Sequence, residues 1–403
     1  MSRKTLKALF HMGAKEYKTE YDNRYNDADT IHLSVNIGGN AAFICQTPEI
    51  YKQIISIERM DKAVDAVANT LPQLAISQFT LKCLIDEILL TNNIEGVHST
   101  RKEIGEILQD LSTRDKRNRF VGLVAKYAAL EDNQSMFFKT CQDIRKVYDD
   151  IFYEEIKATD PENLPDGEIF RKSGVEVQSA TQKAIHKGLS PESKIIDTMN
   201  QSLSVLNDDD IDIFIRIAVF HYLFGYIHPF YDGNGRTSRF ISSYLLSRQL
   251  NPLIGYRLSY TVKENISKYY KAFEVCNDPH NKAELTPFVE MFLNILEISL
   301  HQLLETLADK KYKWEYYCKR IGSLPNAEKN DIAHLDELLI QAALFSNIGI
   351  SREELLNELK LSENTLRSRL RLIPENLLIE NRQKGRKYYL LDLDEADKLF
   401  EES

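Results

Sequence analysis

Residues 228–239, HPFYDGNGRTSR, combine two glycines and two arginines in a pattern suited to binding an anion. Gly233 and Gly235 allow backbone conformations that point successive N–H groups into one concavity, and a following helix would add its N-terminal amides. Arg236 and Arg239 are three residues apart, so they share one face of that helix. Cations near a helix N-terminus are unfavourable unless an anion lies among them. The stretch therefore predicts a phosphate site, with enough positive charge for a triphosphate.

Asp232 and His228 add two functions to this predicted site. A carboxylate beside bound phosphates is repelled unless a cation lies between them, which predicts Mg²⁺ held by Asp232 and phosphate oxygens. His228 ends the preceding apolar segment, where its imidazole is available as a general base. Taken singly, a histidine such as His228 is more often structural than catalytic, Asp232 followed by glycine is a turn signal as often as a metal ligand, and the two arginines would be surface charges. Their combination within twelve residues favours a functional site.

The segment before this loop distinguishes it from other phosphate-binding loops. Rossmann and Walker loops follow a β-strand. Here the apolar residues instead recur with helical spacing, at Ile211, Phe214, Ile215, Ala218, Val219 and Tyr222. We therefore expect a helix–loop–helix anion site.

This stretch resembles the loop of the Fic family, H-x-F-x-(D/E)-G-N-G-R-x-x-R. The fixed positions of that pattern are matched at His228, Phe230, Asp232, Gly233, Asn234, Gly235, Arg236 and Arg239. The resemblance implies a protein adenylyltransferase that moves AMP from ATP to the hydroxyl of a Ser, Thr or Tyr side chain in a target protein. It also implies that the aromatic ring at position 230 is a buried anchor for the loop.

The same resemblance implies a role for each polar residue of the loop. His228 would deprotonate the target hydroxyl, and Asp232 would bind Mg²⁺. The 233–235 loop would hold the α- and β-phosphates with help from Arg236, and Arg239 would contact the γ-phosphate. Such a transfer needs in-line positioning, charge stabilisation and one base, which typically contributes about 10²–10⁴-fold.

A second motif, TNNIEG at residues 91–96, lies at the end of a predicted helix that begins near Ser77. From the residues alone, Glu95 is a solvated or a functional glutamate, and Gly96 suits the position after a helix. The motif resembles the inhibitory (S/T)-x-x-x-E-(G/N) pattern of some Fic proteins. That resemblance implies that Glu95 pairs with Arg239 and prevents productive seating of the γ-phosphate. It also leaves open the reverse reaction, removal of AMP from a modified target.

A hairpin is predicted within residues 173–188, where Val175–Gln178 and Ala184–His186 can alternate as two short strands. From the sequence this hairpin is either an ordinary surface element or a flap. By resemblance to the Fic flap, it would pair with an extended segment of the target protein and bring its hydroxyl over His228.

The fold class expected is mainly α. We predict an N-terminal region over 1–76, a Fic-type helical bundle with a small hairpin flap over 77–308, a linker over 309–330 and a winged helix-turn-helix domain over 331–403. The inhibitory helix occupies about 77–96. The last domain is predicted because three short helices precede two strands joined by a basic turn.

The predicted winged helix reverses the sign of the chain's charge. The 403-residue chain has a net charge of -9, but residues 351–389 contain nine lysines and arginines against six glutamates, a net charge of +3. Arg367, Arg369 and Arg371 lie on the predicted recognition helix, which allows contacts to DNA phosphates. Winged helices also bind proteins or form homodimers, so DNA and protein partners both remain open.

Composition sets the wider limits. The chain is 43% hydrophobic and 28% charged, which is typical of a globular protein. Its five cysteines lie far apart without a CxxC pair, which fits neither a disulfide scaffold nor a zinc site. The absence of an apolar run of about 18 residues predicts no membrane span, and we expect a cytoplasmic protein.

Besides the adenylyltransferase, two alternative functions remain: a phosphodiesterase that removes AMP, and a DNA-binding regulator with a nucleotide-sensing core.

Overall fold

The computed structural model describes residues 3–13, 15–111, 119–130, 135–178, 184–329 and 332–402. These residues form two compact units. The first comprises residues up to 61 together with 86–301, and the second comprises 62–85 together with 302 onwards. The chain therefore leaves the first unit after residue 61, returns at residue 86, and ends in the second unit.

The N-terminal part contains helices α1 and α2, strands β1 and β2 and helices α3 and α4. Their bounds are Leu6–His11, Tyr17–Tyr25, Thr30–Ile37, Asn40–Cys45, Pro48–Ala68 and Gln73–Ile94. The two strands pair antiparallel. Helix α4 begins four residues before the predicted start near Ser77.

The central part of the first unit continues with helices α5, α6 and α7, strands β3 and β4 and helices α8, α9 and α10. Their bounds are Arg101–Asp110, Val121–Ala128, Cys141–Thr159, Glu176–Gln178, Ala184–Lys187, Glu192–Leu206, Ile213–Ile227 and Asn234–Gln249. The predicted hairpin is present, because β3 and β4 pair antiparallel with Glu176 opposite Lys187. Residues 179–183, also part of the predicted flap, lie outside the described residues.

Helix α9 forms the centre of the first unit. Nearly all of its residues are buried, as expected for a helix that is apolar on every side. It starts at Asp212, whose carboxylate accepts the N–H groups of Phe214 and Ile215. Helices α8 and α10 both pack against it. The segment before the loop is thus helical, as its apolar spacing predicts.

The chain continues with helices α11, α12 and α13, at Leu258–Glu264, Ile266–Asn277 and Thr286–Cys318. Residues 309–318, predicted to begin a linker, are part of α13. The physical reason is that no glycine or proline interrupts the sequence between Pro287 and Gly322. Short 3₁₀ turns lie at Pro161–Asn163, Pro252–Tyr256, Pro279–Asn281 and Ile321–Ser323.

The C-terminal part of the second unit contains helix α14, strand β5, helices α15 and α16, strands β6 and β7 and helix α17. Their bounds are Ile332–Phe345, Ile350–Ser351, Arg352–Leu359, Glu363–Leu370, Leu378–Gln383, Arg386–Leu391 and Leu393–Glu402. The three strands form an antiparallel sheet in the order β5–β7–β6. Three helices followed by a hairpin is the order predicted for this part of the chain.

The two units do not follow the predicted boundary at residues 76 and 77, because residues 62–85 belong to the second unit. Of the part of helix α4 that was predicted to belong to the bundle, residues 77–85 lie in the second unit and residues 86–94 lie in the first unit. The predicted inhibitory residue Glu95 is therefore in the first unit. None of the described helices is long and apolar enough to span a membrane.

Candidate functional site

The loop between α9 and α10 starts with a strained residue. His228 caps the C-terminus of α9 in the left-handed conformation, with φ 53° and ψ 63°, and its N–H donates to the Phe224 carbonyl at 2.9 Å. This conformation is uncommon for a residue other than glycine. The half-buried imidazole therefore leaves the helix at a sharp turn in the chain.

Asn234 and Phe230 hold the loop in shape. The Asn234 Oδ1 atom accepts the Phe230 N–H at 2.9 Å, and the Asn234 Nδ2 atom donates to the Phe230 carbonyl at 2.8 Å. The Phe230 ring is fully buried and stacks on Tyr148 with ring centroids 3.6 Å apart. Phe230 is thus the anchor that the sequence predicted. The Asn234 side chain is engaged within the loop, so any contact of this residue with a nucleotide falls to its backbone N–H.

The two glycines of the loop serve different purposes. Gly233 is the N-cap of α10 with φ 79°, a left-handed conformation that favours glycine. Gly235 lies inside the helix, and its missing side chain is what matters: a Cβ atom there would lie 2.8 Å from the Glu95 Cδ atom and 3.0 Å from Arg239 Nη1. The sequence predicted backbone freedom at both glycines. In the structure, Gly233 needs that freedom, whereas Gly235 is needed because a side chain would not fit there.

Arg236 is fully buried and paired with a carboxylate that the motif did not reveal. Its Nη1 atom lies 2.6 Å from Glu155 Oε1, and its guanidinium carbon lies 4.4 Å from the centroid of the Phe152 ring. Burial raises the pKa of Glu155, although the charge of Arg236 opposes this effect. The Nε and Nη2 atoms of Arg236 have no hydrogen-bond partner among the described residues. Donors remain for an anion at this position.

Arg239 and Glu95 form the ion pair that the family resemblance implied. The Arg239 Nη2 atom lies 2.7 Å from Glu95 Oε1. Arg239 also donates from Nε to the Thr91 hydroxyl at 2.9 Å and from Nη2 to the Thr91 carbonyl at 3.1 Å. The Arg239 side chain is 2% exposed and that of Glu95 is 31% exposed. The arginine is thus fixed by α4, while the carboxylate keeps access to solvent.

The charge on Glu95 is stabilised by its surroundings. Burial alone would raise the pKa of Glu95, but the charge and hydrogen bond of Arg239, followed by the charges of Arg236 and His228, lower it overall. The same pair raises the pKa of Arg239, against the opposing effect of its burial. The carboxylate lies against Gly235, in the first turn of α10. A negative group therefore lies at this helix N-terminus, where anions are favoured.

Asp232 is the residue best placed to hold a metal ion. Its side chain is 51% exposed. The Oδ1 atom accepts the Gly233 N–H at 2.6 Å, and Oδ2 lies 3.6 Å from Arg236 Nη2. Mg²⁺ typically binds one or two carboxylates and completes its shell with water and phosphate oxygens. One accessible carboxylate beside the predicted anion site fits that requirement.

A second group of potential metal ligands in the first unit joins the end of α1 to the residues that follow α12. Ligand atoms of His11, Asp278 and His280 lie within 4.8 Å of one another. The Asp278 carboxylate already has two partners, Lys7 Nζ at 3.1 Å and His280 Nδ1 at 3.0 Å. A cation would have to displace the ammonium group of Lys7, so this group is better explained by its internal contacts. None of the residues predicted from the loop belongs to it.

The base of the hairpin is joined to the loop by side-chain contacts. The Tyr231 hydroxyl accepts the Ser173 N–H at 3.0 Å and donates to Asp166 Oδ1 at 2.9 Å. The hairpin therefore starts next to the loop that contains His228. The role of the hairpin as a flap stays a prediction.

Two residues important to this geometry, Glu155 and Arg171, were not identified from the sequence. Glu155 falls on the buried face of α7, where the other residues are apolar. A charged residue on such a face signals a buried partner, because lone charges are rarely buried. Arg171 is fully buried, but it lies in an irregular segment where no periodicity marks it.

Comparisons with known proteins agree with this geometry. Residues 139–246 match the model of the Fic/DOC family. A protein named protein adenylyltransferase Fic from Aedes aegypti is 29% identical over 254 residues, which cover 60% of this chain and 46% of that protein. Its namesake from Drosophila melanogaster is 36% identical over 92 residues, 23% of this chain and 17% of that protein. The matches thus span less than half the length of these relatives.

A similar fold is found among solved structures. A Fic family protein from Desulfovibrio desulfuricans G20 superimposes with a TM-score of 0.52 and 20% sequence identity, covering 86% of this chain and 96% of that one. At this identity the similarity concerns the fold alone. It supports the mainly helical architecture described above.

Proposed function

This chain is a Fic family protein, and from that premise we propose that it transfers AMP from ATP to a Ser, Thr or Tyr hydroxyl of a target protein. One observation carries the proposal: the Glu95 carboxylate lies against the first turn of α10 and in contact with the buried Arg239. A site that stabilises a carboxylate at a helix N-terminus between arginines is suited to phosphate. The names of the Aedes and Drosophila relatives support the same activity.

The reaction needs one base and a held triphosphate. The target oxygen forms a bond to the α-phosphorus, the bond from that phosphorus to the oxygen bridging to the β-phosphate breaks, and pyrophosphate leaves. His228 accepts the proton of the attacking hydroxyl. Its fixed position at the end of α9 supports this role, because a base must lie within hydrogen-bond reach of the proton it removes.

The rest of the loop would hold the nucleotide. We assign the α- and β-phosphates to the backbone amides of the 233–235 loop, with Arg236 beside them and Arg239 at the γ-phosphate. The Nε and Nη2 atoms of Arg236, which have no hydrogen-bond partner among the described residues, support this assignment. Asp232 would hold Mg²⁺, which when bound neutralises phosphate charge.

Glu95 would restrain the reaction in the same site. While it pairs with Arg239, the arginine cannot make its contact to a γ-phosphate, and the carboxylate repels that phosphate. ATP would then bind with its α-phosphate out of line with His228. Removal of AMP from a modified target by the same residues is the alternative within this fold.

A second candidate function concerns the C-terminal part of the second unit. Arg367 and Arg371, at the end of α16, are exposed, as are Arg382, Lys384 and Arg386 on the β6–β7 hairpin. This distribution favours DNA phosphates as a partner. A protein partner or a second copy of the chain is the alternative occupant.

Incubation with ATP labelled at the α-phosphate tests the proposed function. Label is expected on protein, increased by Glu95→Gly and abolished by His228→Ala in that background. Label on the γ-phosphate should leave no signal, which separates AMP transfer from phosphorylation. If Glu95→Gly protein and its candidate targets remain unlabelled with Mg-ATP, the adenylyltransferase proposal fails. Release of AMP from a labelled target would then favour the reverse activity.

A further inference from the structure

Arg171 is a fully buried cation whose hydrogen bonds go to the backbone. Its acceptors among the described residues are the carbonyl oxygens of Ser173, Leu189, Ile227 and His228. Burial lowers the pKa of Arg171, with an opposing effect from Tyr231. Burying a charge is costly unless it is hydrogen-bonded, so these contacts must offset that cost. Because burying this charge is unfavourable, we asked what the contacts of Arg171 hold together.

Two of the acceptors lie at the end of α9. The Nε atom of Arg171 donates to the His228 carbonyl at 2.8 Å, and Nη2 lies 3.5 Å from the Ile227 carbonyl. The last carbonyls of a helix lack partners within it and carry its negative dipole, so a guanidinium is favourable there. Since His228 has the left-handed conformation, this contact ties down a backbone position that the residue would otherwise tend to leave.

The other two acceptors lie at the two ends of the hairpin. Nη1 of Arg171 donates to the Ser173 carbonyl, just before β3, and Nη2 donates to the Leu189 carbonyl at 2.9 Å, just after β4. The Leu189 N–H in turn donates to the Ile227 carbonyl at 3.1 Å. One guanidinium thus joins both ends of the hairpin to the residue that carries the imidazole.

Gly188 makes this meeting possible. A Cβ atom at that position would lie 2.5 Å from Arg171 Nη2 and 3.1 Å from the His228 Cβ atom. Real Cβ atoms essentially never come as close as the first distance. The glycine therefore leaves room for the hairpin, the guanidinium and His228 to pack together.

We propose that Arg171 is a positioning residue that fixes His228 relative to the hairpin, so that a target segment paired with the hairpin presents its hydroxyl to the imidazole. It acts through His228 and the hairpin, and the phosphates are assigned to other residues. The proposal rests on the proposed AMP transfer for its catalytic consequence. Its structural part, the coupling of the hairpin ends to His228, is measurable without activity.

The experiment compares three variants made in the Glu95→Gly background of the full chain: Arg171→Met, Arg171→Lys and Arg145→Met. The control removes a guanidinium that donates to the Ile169 carbonyl at 2.7 Å and pairs with Asp149, so it contacts the same segment through other partners. Three quantities are measured: the rate of AMP transfer, the affinity for Mg-ATP, and hydrogen–deuterium exchange at the amides of Leu189 and His228.

Arg171→Met is expected to slow transfer by about 100-fold, the scale of a misplaced catalytic group, while the affinity for Mg-ATP changes by less than about threefold. Exchange at the Leu189 amide should rise. Arg171→Lys should give an intermediate rate, because an ammonium group lacks the planar fork that reaches all four carbonyls. The control should leave all three quantities within about twofold of the parent, because the contacts it removes are to Ile169 and Asp149 and not to the acceptors of Arg171.

Transfer within about threefold of the parent together with an unchanged Leu189 amide would overturn the proposal. So would an equal loss of Mg-ATP affinity and transfer, since that indicates a general structural role. If Arg171→Met does not fold, Arg171→Lys is judged by the same criteria. If the Glu95→Gly parent transfers no AMP, the proposed function fails, and exchange at Leu189 and His228 alone decides whether Arg171 couples them.

Discussion

Arg239 donates to Glu95 across 2.7 Å, although the two residues are 144 positions apart in the chain. The pair brings the end of α4 against the first turn of α10. A charge-assisted hydrogen bond of this kind contributes about 1.5–3 kcal/mol, and the partial exposure of Glu95 places this one toward the lower end. A free energy of this size is within the range that the binding of a ligand or partner can offset.

Glu95→Gly is expected to raise the rate of AMP transfer by about 10- to 100-fold, because the free energy that holds Arg239 away from a phosphate is lost. Glu95→Gln should give a smaller increase, since the amide oxygen still accepts a hydrogen bond but carries no charge. Quantifying labelled protein over time under single-turnover conditions measures both. Equal rates of AMP transfer for the wild type and Glu95→Gly would show that Glu95 does not inhibit the reaction, whatever the absolute activity.

Glu155→Gln is expected to destabilise the first unit by about 3 kcal/mol, because it leaves the buried Arg236 without its main counter-charge. Replacing both residues, as Glu155→Leu with Arg236→Leu, should recover much of that loss, since a buried pair is often replaceable by apolar groups. Denaturant unfolding followed by circular dichroism provides the free energies. A double variant as unstable as Glu155→Gln would show that the arginine is not the source of the cost.

The loop at residues 228–239 was predictable because the residues that define it are adjacent in the sequence. The helix end at His228 and the glycine that precedes α10 follow from local rules for helix ends, and the apolar spacing before the loop predicted α9. The Glu95–Arg239 pair was accessible only through a family pattern. No property of either residue alone indicates a contact across 144 positions.

The contacts of Arg236 with Glu155 and of His228 with Arg171 could not be predicted from the sequence for the same reason. Glu155 meets Arg236 across 81 positions, and Arg171 meets His228 across 57. Tertiary packing, rather than local propensity, decides such contacts. The predicted ends of helices were less accurate than their existence: α4 starts at Gln73, before its predicted start, and α13 continues to Cys318. Helices extend past a predicted end until a residue such as glycine or proline stops them.

The basic surface of the second unit predicts binding to duplex DNA that weakens as salt is added. Replacing Arg367, Arg371 and Lys384 by alanine should lower the affinity and reduce the slope of log K against log salt, because each lost phosphate contact removes about 0.9 from that slope. Fluorescence anisotropy with a labelled duplex measures both.

Arg320→Ala is the matched control for the DNA experiment, since it removes an exposed arginine of the same unit that lies over the Tyr316 ring. It should change the slope less than any single replacement on α16 or the hairpin. If the wild-type protein does not bind duplex DNA at low salt, a protein partner becomes the better assignment for this surface.

The burial of Asp336 predicts how the stability of the second unit depends on pH. Its side chain is buried in α14, its Oδ2 atom has no hydrogen-bond partner among the described residues, and burial raises its pKa from 3.8 to about 7. Because the folded pKa exceeds the unfolded one, the folded unit binds the proton more tightly. The resulting stability is fully present below pH 3.8 and is lost as pH rises through about 7.

Asp336→Asn should therefore remove this part of the pH dependence. The variant's free energy of unfolding relative to the wild type should rise between about pH 4 and pH 7 and level off above. The total rise should be on the order of 4 kcal/mol, since the pKa of Asp336 is raised from 3.8 to about 7 and each pKa unit corresponds to about 1.4 kcal/mol. The chain's single tryptophan, Trp314, lies in the second unit, so its fluorescence follows the unfolding of that unit. A difference between wild type and variant that stays constant over this range would mean that Asp336 is ionised in the folded protein at pH 5, and that a counter-charge rather than burial governs it.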